Sequence, residues 1–335
     1  MIVFTDWEGP WALTDFAYEC TLAFLNNPAF FERLSQYDDY LAFMERKKEY
    51  EVGDTLKLLA PFLIAAKVTS NELEMLANKT ASFIKDCKDA AKIMSLKYKP
   101  VVVSSAYEHF VKTTTRIINF KAEIYATRFK PEKYRISEKE RKFLLRAVDV
   151  IANLPEVKLN KLDSNARKTI KWLNNFFWNY LKKTELGKIL EDVKAVGGRR
   201  KKQIIKKNVE SMNIEVPVFI GDSISDSIAL EWVKKHGFAI SFNGNSYAIK
   251  NSNIVVISDS ALAHPIIINT IEKGGLLEIK RLSNKDFYHL PTFLKEKIKN
   301  ALFEVYITSE VDLDFLIKRS ENVRKKLRGF AGKLS

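Results

Sequence analysis

The 335-residue sequence predicts an α/β protein, a parallel sheet covered by helices on both faces, with an all-helical block inserted after the first strand. Three observations predict it. Short apolar, β-favouring runs recur at 2–4, 101–103, 216–220, 238–242 and 254–257. Segments of helical periodicity lie between them, as the crossovers of a parallel sheet require. Residues 12–97, finally, carry only helical patterns and no strand signal.

Ile2, Val3 and Phe4 suit a strand buried on both faces. The run stops at Asp6 and Glu8, and Gly9-Pro10 forces a turn. Two carboxylates at the carboxyl end of a buried strand stand where open α/β sheets place their ligands; a plain acidic turn is the alternative. Helix follows. Residues 16–25 are apolar, and Pro28 interrupts them. Phe30, Phe31, Leu34, Tyr37, Leu41 and Met44 recur at steps of three and four. Residues 55–66 form another run, with Pro61 inside it. Thr69-Ser70-Asn71-Glu72 reads as a capping box opening a helix through Ala77, and 81–96 gives one more.

Lys99-Pro100 ends this block. Val101-Val102-Val103 runs into Ser104-Ser105, and 122–126 offers a third strand. Residues 131–196 are helical and amphiphilic. Trp172, Phe176, Phe177 and Tyr180 in that segment have core spacing, although bases could stack on such a cluster. Gly197-Gly198 leads into the basic run from Arg199 to Lys207, which reads as a solvated helix face or a phosphate contact. The run 216–220 ends in Gly221-Asp222-Ser223-Ile224-Ser225-Asp226. A helix over 228–235 and strands at 238–242 and 254–257 follow. From 261 onward, helical apolar runs lead to the basic stretch Val323-Arg324-Lys325-Lys326-Leu327-Arg328.

With 46% hydrophobic and 29% charged residues, the composition is that of a globular protein of about two domains. No apolar run approaches the roughly 18 residues that cross a bilayer. A strand beginning at residue 2 leaves no room for a cleavable leader, so a cytoplasmic location is expected. Cys20 and Cys87 are far apart and read as reduced packing residues. His109, His236, His264 and His289 are scattered, and no zinc or iron site is expected. The net charge of +14 fits a phosphorylated small molecule, nucleic acid, or a Lys/Glu-rich thermophile surface, the last consistent with only two glutamines. The 55 basic residues are mixed with 41 acidic ones, unlike a single basic stripe, so nucleic acid is not the expected partner. Nothing signals the oligomeric state.

Three strand ends thus carry Asp6/Glu8, Ser104/Ser105 and Asp222/Asp226, with a lysine cluster before the third. Phosphoryl transfer through an aspartyl-phosphate needs such an assortment. One carboxylate attacks phosphorus, others hold Mg²⁺, and a hydroxyl and an ammonium neutralise the non-bridging oxygens. A second acid protonates the leaving oxygen and then activates water.

Asp6-Trp7-Glu8-Gly9, Val103-Ser104-Ser105, Lys201 and Gly221-Asp222-Ser223-Ile224-Ser225-Asp226 resemble, in order, the four motifs of the haloacid dehalogenase-like (HAD) hydrolases. The spacing is most similar to phosphoserine phosphatase-type members. The chain is also similar to archaeal HAD-like proteins labelled as accessory subunits of an energy-converting hydrogenase. The resemblance implies a Rossmannoid core over 1–11, 98–130 and 195–275. It implies a helical cap over 12–97, and leaves 131–194 as an added helical insertion and 276–335 as a helical extension. It implies that Asp6 is the nucleophile and Glu8 the acid/base. Asp6, Glu8 (through its backbone carbonyl), Asp222 and Asp226 would serve Mg²⁺. Ser104, with Ser105 beside it, and Lys201 would bind phosphate, Lys202 being the alternative lysine. A small phosphomonoester is the implied substrate.

Two positions depart from the family pattern. Glu8 stands where Asp is usual, and Pro10 where Thr or Ser is common. The extra methylene displaces the carboxyl by about a bond length, and a misplacement of about 1 Å can cost roughly 10²-fold in rate. A binding or accessory protein with little turnover, docking an acidic partner, is therefore the competing expectation.

Overall fold

The structure, a computed structural model, describes residues 1–160, 162–288 and 290–329; His289 and the end of the 276–335 segment lie outside them. Seven strands among these form one sheet: β1 (Ile2–Thr5), β2 (Val101–Tyr107), β3 (Glu123–Thr127), β4 (Pro217–Gly221), β5 (Phe238–Phe242), β6 (Ile254–Ser258) and β7 (Phe303–Ile307). Their order is β3-β2-β1-β4-β5-β6-β7. The first six are parallel, and β7 runs antiparallel to β6 at the edge. The all-parallel sheet and the all-helical 276–335 segment expected from sequence are both corrected here. Phe303, Val305 and Ile307 alternate with Glu304 and Tyr306, the period of a half-buried edge strand.

Strand burial explains the central position of β1. Ile2 and Phe4 pack with Val101, Val103 and Phe219 on one face, while Val3 packs with Val102, Val218 and Ile220 on the other. The register pairs Phe4 with Val101 and Thr5 with both Val102 and Ile220. Asp6 therefore emerges between the ends of β2 and β4.

The helices in chain order begin with α1 (Phe16–Leu25), α2 (Pro28–Asp39), α3 (Thr55–Ala65), α4 (Ser70–Thr80), α5 (Cys87–Lys97) and α6 (Glu108–Ile117). They continue with α7 (Glu138–Ala152), α8 (Ser164–Asn174), α9 (Ile189–Asp192), α10 (Gly198–Ser211) and α11 (Ser227–His236). The last are α12 (Ser246–Lys250), α13 (Ala263–Ser283), α14 (Thr292–Lys299) and α15 (Leu313–Arg328). Pro28 opens α2 at a position where its missing N–H costs nothing, capped by Asn27, and Thr69 with Glu72 forms the anticipated capping box on α4.

The 12–97 and 131–194 segments pack as one helical body. Phe62 lies 4.6 Å from Phe30 and 5.9 Å from Phe176, and Trp178 Nε1 donates to Tyr37 Oη at 2.9 Å. The aromatic cluster is largely core: Phe176 and Phe177 are buried, while Phe143 and Tyr180 are exposed at its edge. The helix expected over 81–96 begins only at Cys87. Residues before it are extended and bridge Phe83 to Ala12 and Lys85 to Ser260, and Asp86 has a left-handed φ of 60°. Neither cysteine is in a disulfide. No helix among the described residues is long and apolar enough to cross a membrane.

Candidate active site

The turn after β1 is built to hold Asp6 still. Asp6 N donates to Ile220 O at 2.8 Å, extending the β1–β4 ladder by one bond. Trp11 N and Ala12 N both donate to Trp7 O, and Gly9 N donates to Ala12 O at 2.7 Å. Trp7 and Trp11 are fully buried and stacked; their indole N–H groups donate to Thr114 and Thr5 hydroxyls. His264 Nε2 donates to Pro10 O at 2.7 Å, and burial lowers its pKa to about 4, so the ring is neutral. Gly9 has φ +99°, and a Cβ there would lie 2.0 Å from Asp222 Oδ2. Both the backbone and the close approach exclude a side chain.

After β4, Asp226 organises the second loop. Its Oδ2 accepts from Asp222 N at 2.9 Å and Ser223 N at 3.0 Å, and its Oδ1 accepts from Lys201 Nζ at 2.5 Å. Lys201 Nζ also lies 3.2 Å from Asp6 Oδ2. Lys201, Ile205 and Asn208 form the buried stripe of α10, whereas Lys202 is half-buried, so Lys201 is the lysine at the site. Carboxylate oxygens of Asp6, Asp222 and Asp226 lie within 4.8 Å of one another. Glu8 is not part of this cluster.

Burial, then the charge of Asp226, raises Asp6 to about 7, with Lys201 pulling the other way. Burial opposes the charge of Lys201, but Asp226 and Asp6 outweigh it and hold its pKa above the ordinary value. Glu8 Oε1 accepts the Phe16 amide at 2.8 Å at the start of α1. Burial and then neighbouring Asp15 push Glu8 well above the carboxylate range.

A cavity of about 250 Å³ opens between the strand ends and the helical body. Asp6, Glu8, Ser105 and Asp222 line it from below, and Asp38, Asp39 and Phe43 from the helical side. Ser104 is buried, and its Oγ accepts the Ala106 amide at 3.3 Å, so Ser105 is the serine that faces the cavity.

Sequence reasoning missed the contribution of α15. Arg324 Nη1 donates to Asp222 Oδ2 and to Asp222 O, and Arg328 Nη1 lies 3.3 Å from the same Oδ2. A basic run is by default a solvated face. The i, i+4, i+8 stripe Ser320-Arg324-Arg328 was the one available signal. Asp15, Asp38 and Asp39 were missed as well, since nothing local sets them apart from surface acids.

Among solved structures, the gene product AF1437 from Archaeoglobus fulgidus matches at 36% identity with a TM-score of 0.86, over 100% of this chain and 99% of that one. The chain belongs to the same protein family as that gene product. Two phosphoserine phosphatase structures, an apo form and a phospho-aspartyl intermediate analogue, each match over 80% of this chain and 97% of their own. Their identities are 10% and 12% and their TM-scores 0.42 and 0.47, too low for the likeness to carry a function across. No protein-family model matches, and no curated protein matches. None of these findings bears on a hydrogenase-subunit role.

Proposed function

We propose that the chain is a HAD-type phosphatase that hydrolyses a small phosphomonoester through an aspartyl-phosphate, with the helical body as a cap over the site. One observation carries this reading: Asp6, held at the end of the central strand, shares a buried cluster with Lys201, Asp222 and Asp226 beneath a cavity between the strand ends and the helical body. The all-oxygen donor set of Asp6, Asp222 and Asp226 fits a hard cation such as Mg²⁺. Asp6 and Asp222 would hold it, since Asp226 already spends its oxygens on Lys201 and two amides. When bound, it would supply positive charge to the non-bridging phosphoryl oxygens.

The chain's own residues divide the remaining work. Asp6 attacks phosphorus as the bond to the leaving oxygen breaks. Glu8 gives the leaving oxygen a proton, a role its raised pKa supports, and with Oε1 occupied by the Phe16 amide the proton belongs on Oε2. As a carboxylate it then takes a proton from the water that attacks the aspartyl-phosphate. Ser105 binds a phosphoryl oxygen at the cavity floor, and Lys201 positions Asp6. The cap excludes water from the intermediate. Turnover of a phosphometabolite panel, with and without Mg²⁺, tests the reading; absence of metal-dependent phosphate release across the panel removes it.

The binding or accessory reading has one observation in its favour. Glu8 accepts the first amide of α1 and Asp222 is paired with two arginines, so two expected functional carboxylates already have structural partners. Tight binding of a phosphorylated ligand with no turnover would select it.

A further inference from the structure

The cavity presents a charge problem. Six carboxyl side chains line it, Asp6, Glu8, Asp15, Asp38, Asp39 and Asp222, and Arg328 is the one basic side chain doing so among the described residues. Lys201 sits beneath, fully buried against Asp6 and Asp226. An oxyanion entering this space meets repulsion from most of its walls.

Two buried clusters of opposite sign lie side by side at the strand ends. Asp6 and Asp226 share the single ammonium of Lys201, which leaves that group formally negative. Asp222 receives two guanidiniums, Arg324 and Arg328, which leaves the neighbouring group formally positive. Arg324 is fully buried, and its Nη1 is committed to Asp222 and to Asn243 O. Arg328 reaches the cavity; its Nε donates to Leu13 O at 3.2 Å, which fixes the plane of the fork. Glu8 and Asp15 line the same part of the cavity as Arg328. Ser320 Oγ, donating to Gly244 O at 2.7 Å, anchors the same stripe of α15 one turn earlier.

The geometry points to Arg328 as an oxyanion-binding residue of the active site, with Arg324 as the positioning residue that holds Asp222 and the helix in place. This rests on the phosphatase reading and adds to it a residue outside the motifs that suggested it. A guanidinium fork matches two oxygens of a phosphoryl group, and a point charge such as lysine does not.

The test uses the full chain, with orthophosphate and tungstate as probes, titrated calorimetrically in the presence of Mg²⁺. Arg328→Gln is expected to weaken oxyanion binding by at least about tenfold, measured well below its thermal midpoint, which the lost pair with buried Asp222 lowers. Arg328→Lys should recover only part of the loss, and it serves as the decisive variant if the glutamine variant does not fold. In turnover assays the Arg328→Lys defect should appear in KM more than in kcat. Wild-type protein that binds neither probe, or an Arg328→Lys variant that binds both as the wild type does, overturns the inference. Arg328-dependent binding without any turnover sinks the phosphatase reading and leaves this one standing; turnover with KM unmoved by Arg328→Lys does the reverse.

Discussion

Lys201 Nζ lies 3.2 Å from Asp6 Oδ2, so the residue that ends the central strand is held by an ammonium delivered from a helix nearly two hundred residues later. The same ammonium meets Asp226 at 2.5 Å. Removing it leaves two buried carboxylates facing each other with no counter-charge. Lys201→Met is therefore expected to cost about 3–5 kcal/mol of stability, read from urea unfolding midpoints. A midpoint equal to that of the wild type would show that the cluster is already neutralised by other means.

Gly9 is the tightest point of the turn. Gly9→Ala places a methyl group 2.0 Å from Asp222 Oδ2 at a φ of +99°. At least about 2 kcal/mol of destabilisation is expected from the two effects together, with loss of activity. Calorimetric unfolding of the variant checks this, and a change below a few tenths of a kcal/mol contradicts the packing described.

Asp6→Asn should abolish turnover and leave the fold intact, because asparagine keeps the shape and can still accept the Trp7 amide. Glu8→Gln should slow breakdown of the intermediate, so that phosphoenzyme accumulates and appears in the intact mass. Beryllofluoride, a phosphate analogue, should bind wild-type protein and fail on Asp6→Asn. Full activity in Asp6→Asn excludes it as the nucleophile.

Asp38 predicts a pH dependence of stability. Burial first, and then Asp39, pushes its pKa up to about 8 from the ordinary 3.8. The folded chain keeps a proton there that the unfolded chain has released, so this contribution is full below the unfolded value and is lost as pH rises through the folded one. Stability should fall between about pH 4 and 8, and Asp38→Asn should flatten that slope even though it disturbs the bond from Tyr50 Oη. Parallel slopes for variant and wild type would show that Asp38 does not hold the proton.

The core strands were legible because each is a short run of β-branched or aromatic residues that the sheet buries on both faces. Asp6 and Asp222 were legible as carboxylates placed at the ends of two such runs. Strand β7 was not, because an edge strand buries only Val305 and Ile307 with Phe303 half-buried, and three alternating apolar residues do not stand out after a long helical stretch. The extended residues before Cys87 were missed because tertiary pairing with Ala12 and Ser260, and no local preference, straightens them. Lys201 and Lys202 look alike in a basic run, and only the side of α10 that meets the sheet separates them. The arginines of α15 were hidden for the same reason: whether a charge is solvated or buried depends on what lies opposite, and Asp222 lies a hundred residues away.

The bond from Arg328 to Leu13 O spans 315 residues of chain, which gives the site a history as well as a shape. As the chain leaves the ribosome, Asp6 emerges early and Asp222 follows, while the helix that neutralises Asp222 does not yet exist. Until Arg324 and Arg328 arrive, that carboxylate has no guanidinium to pair with, and burying it costs several kcal/mol. The strand end that carries Asp222 therefore reaches its full stability only once α15 has docked, which makes the first turn and the last helix of the described residues partners in one cluster.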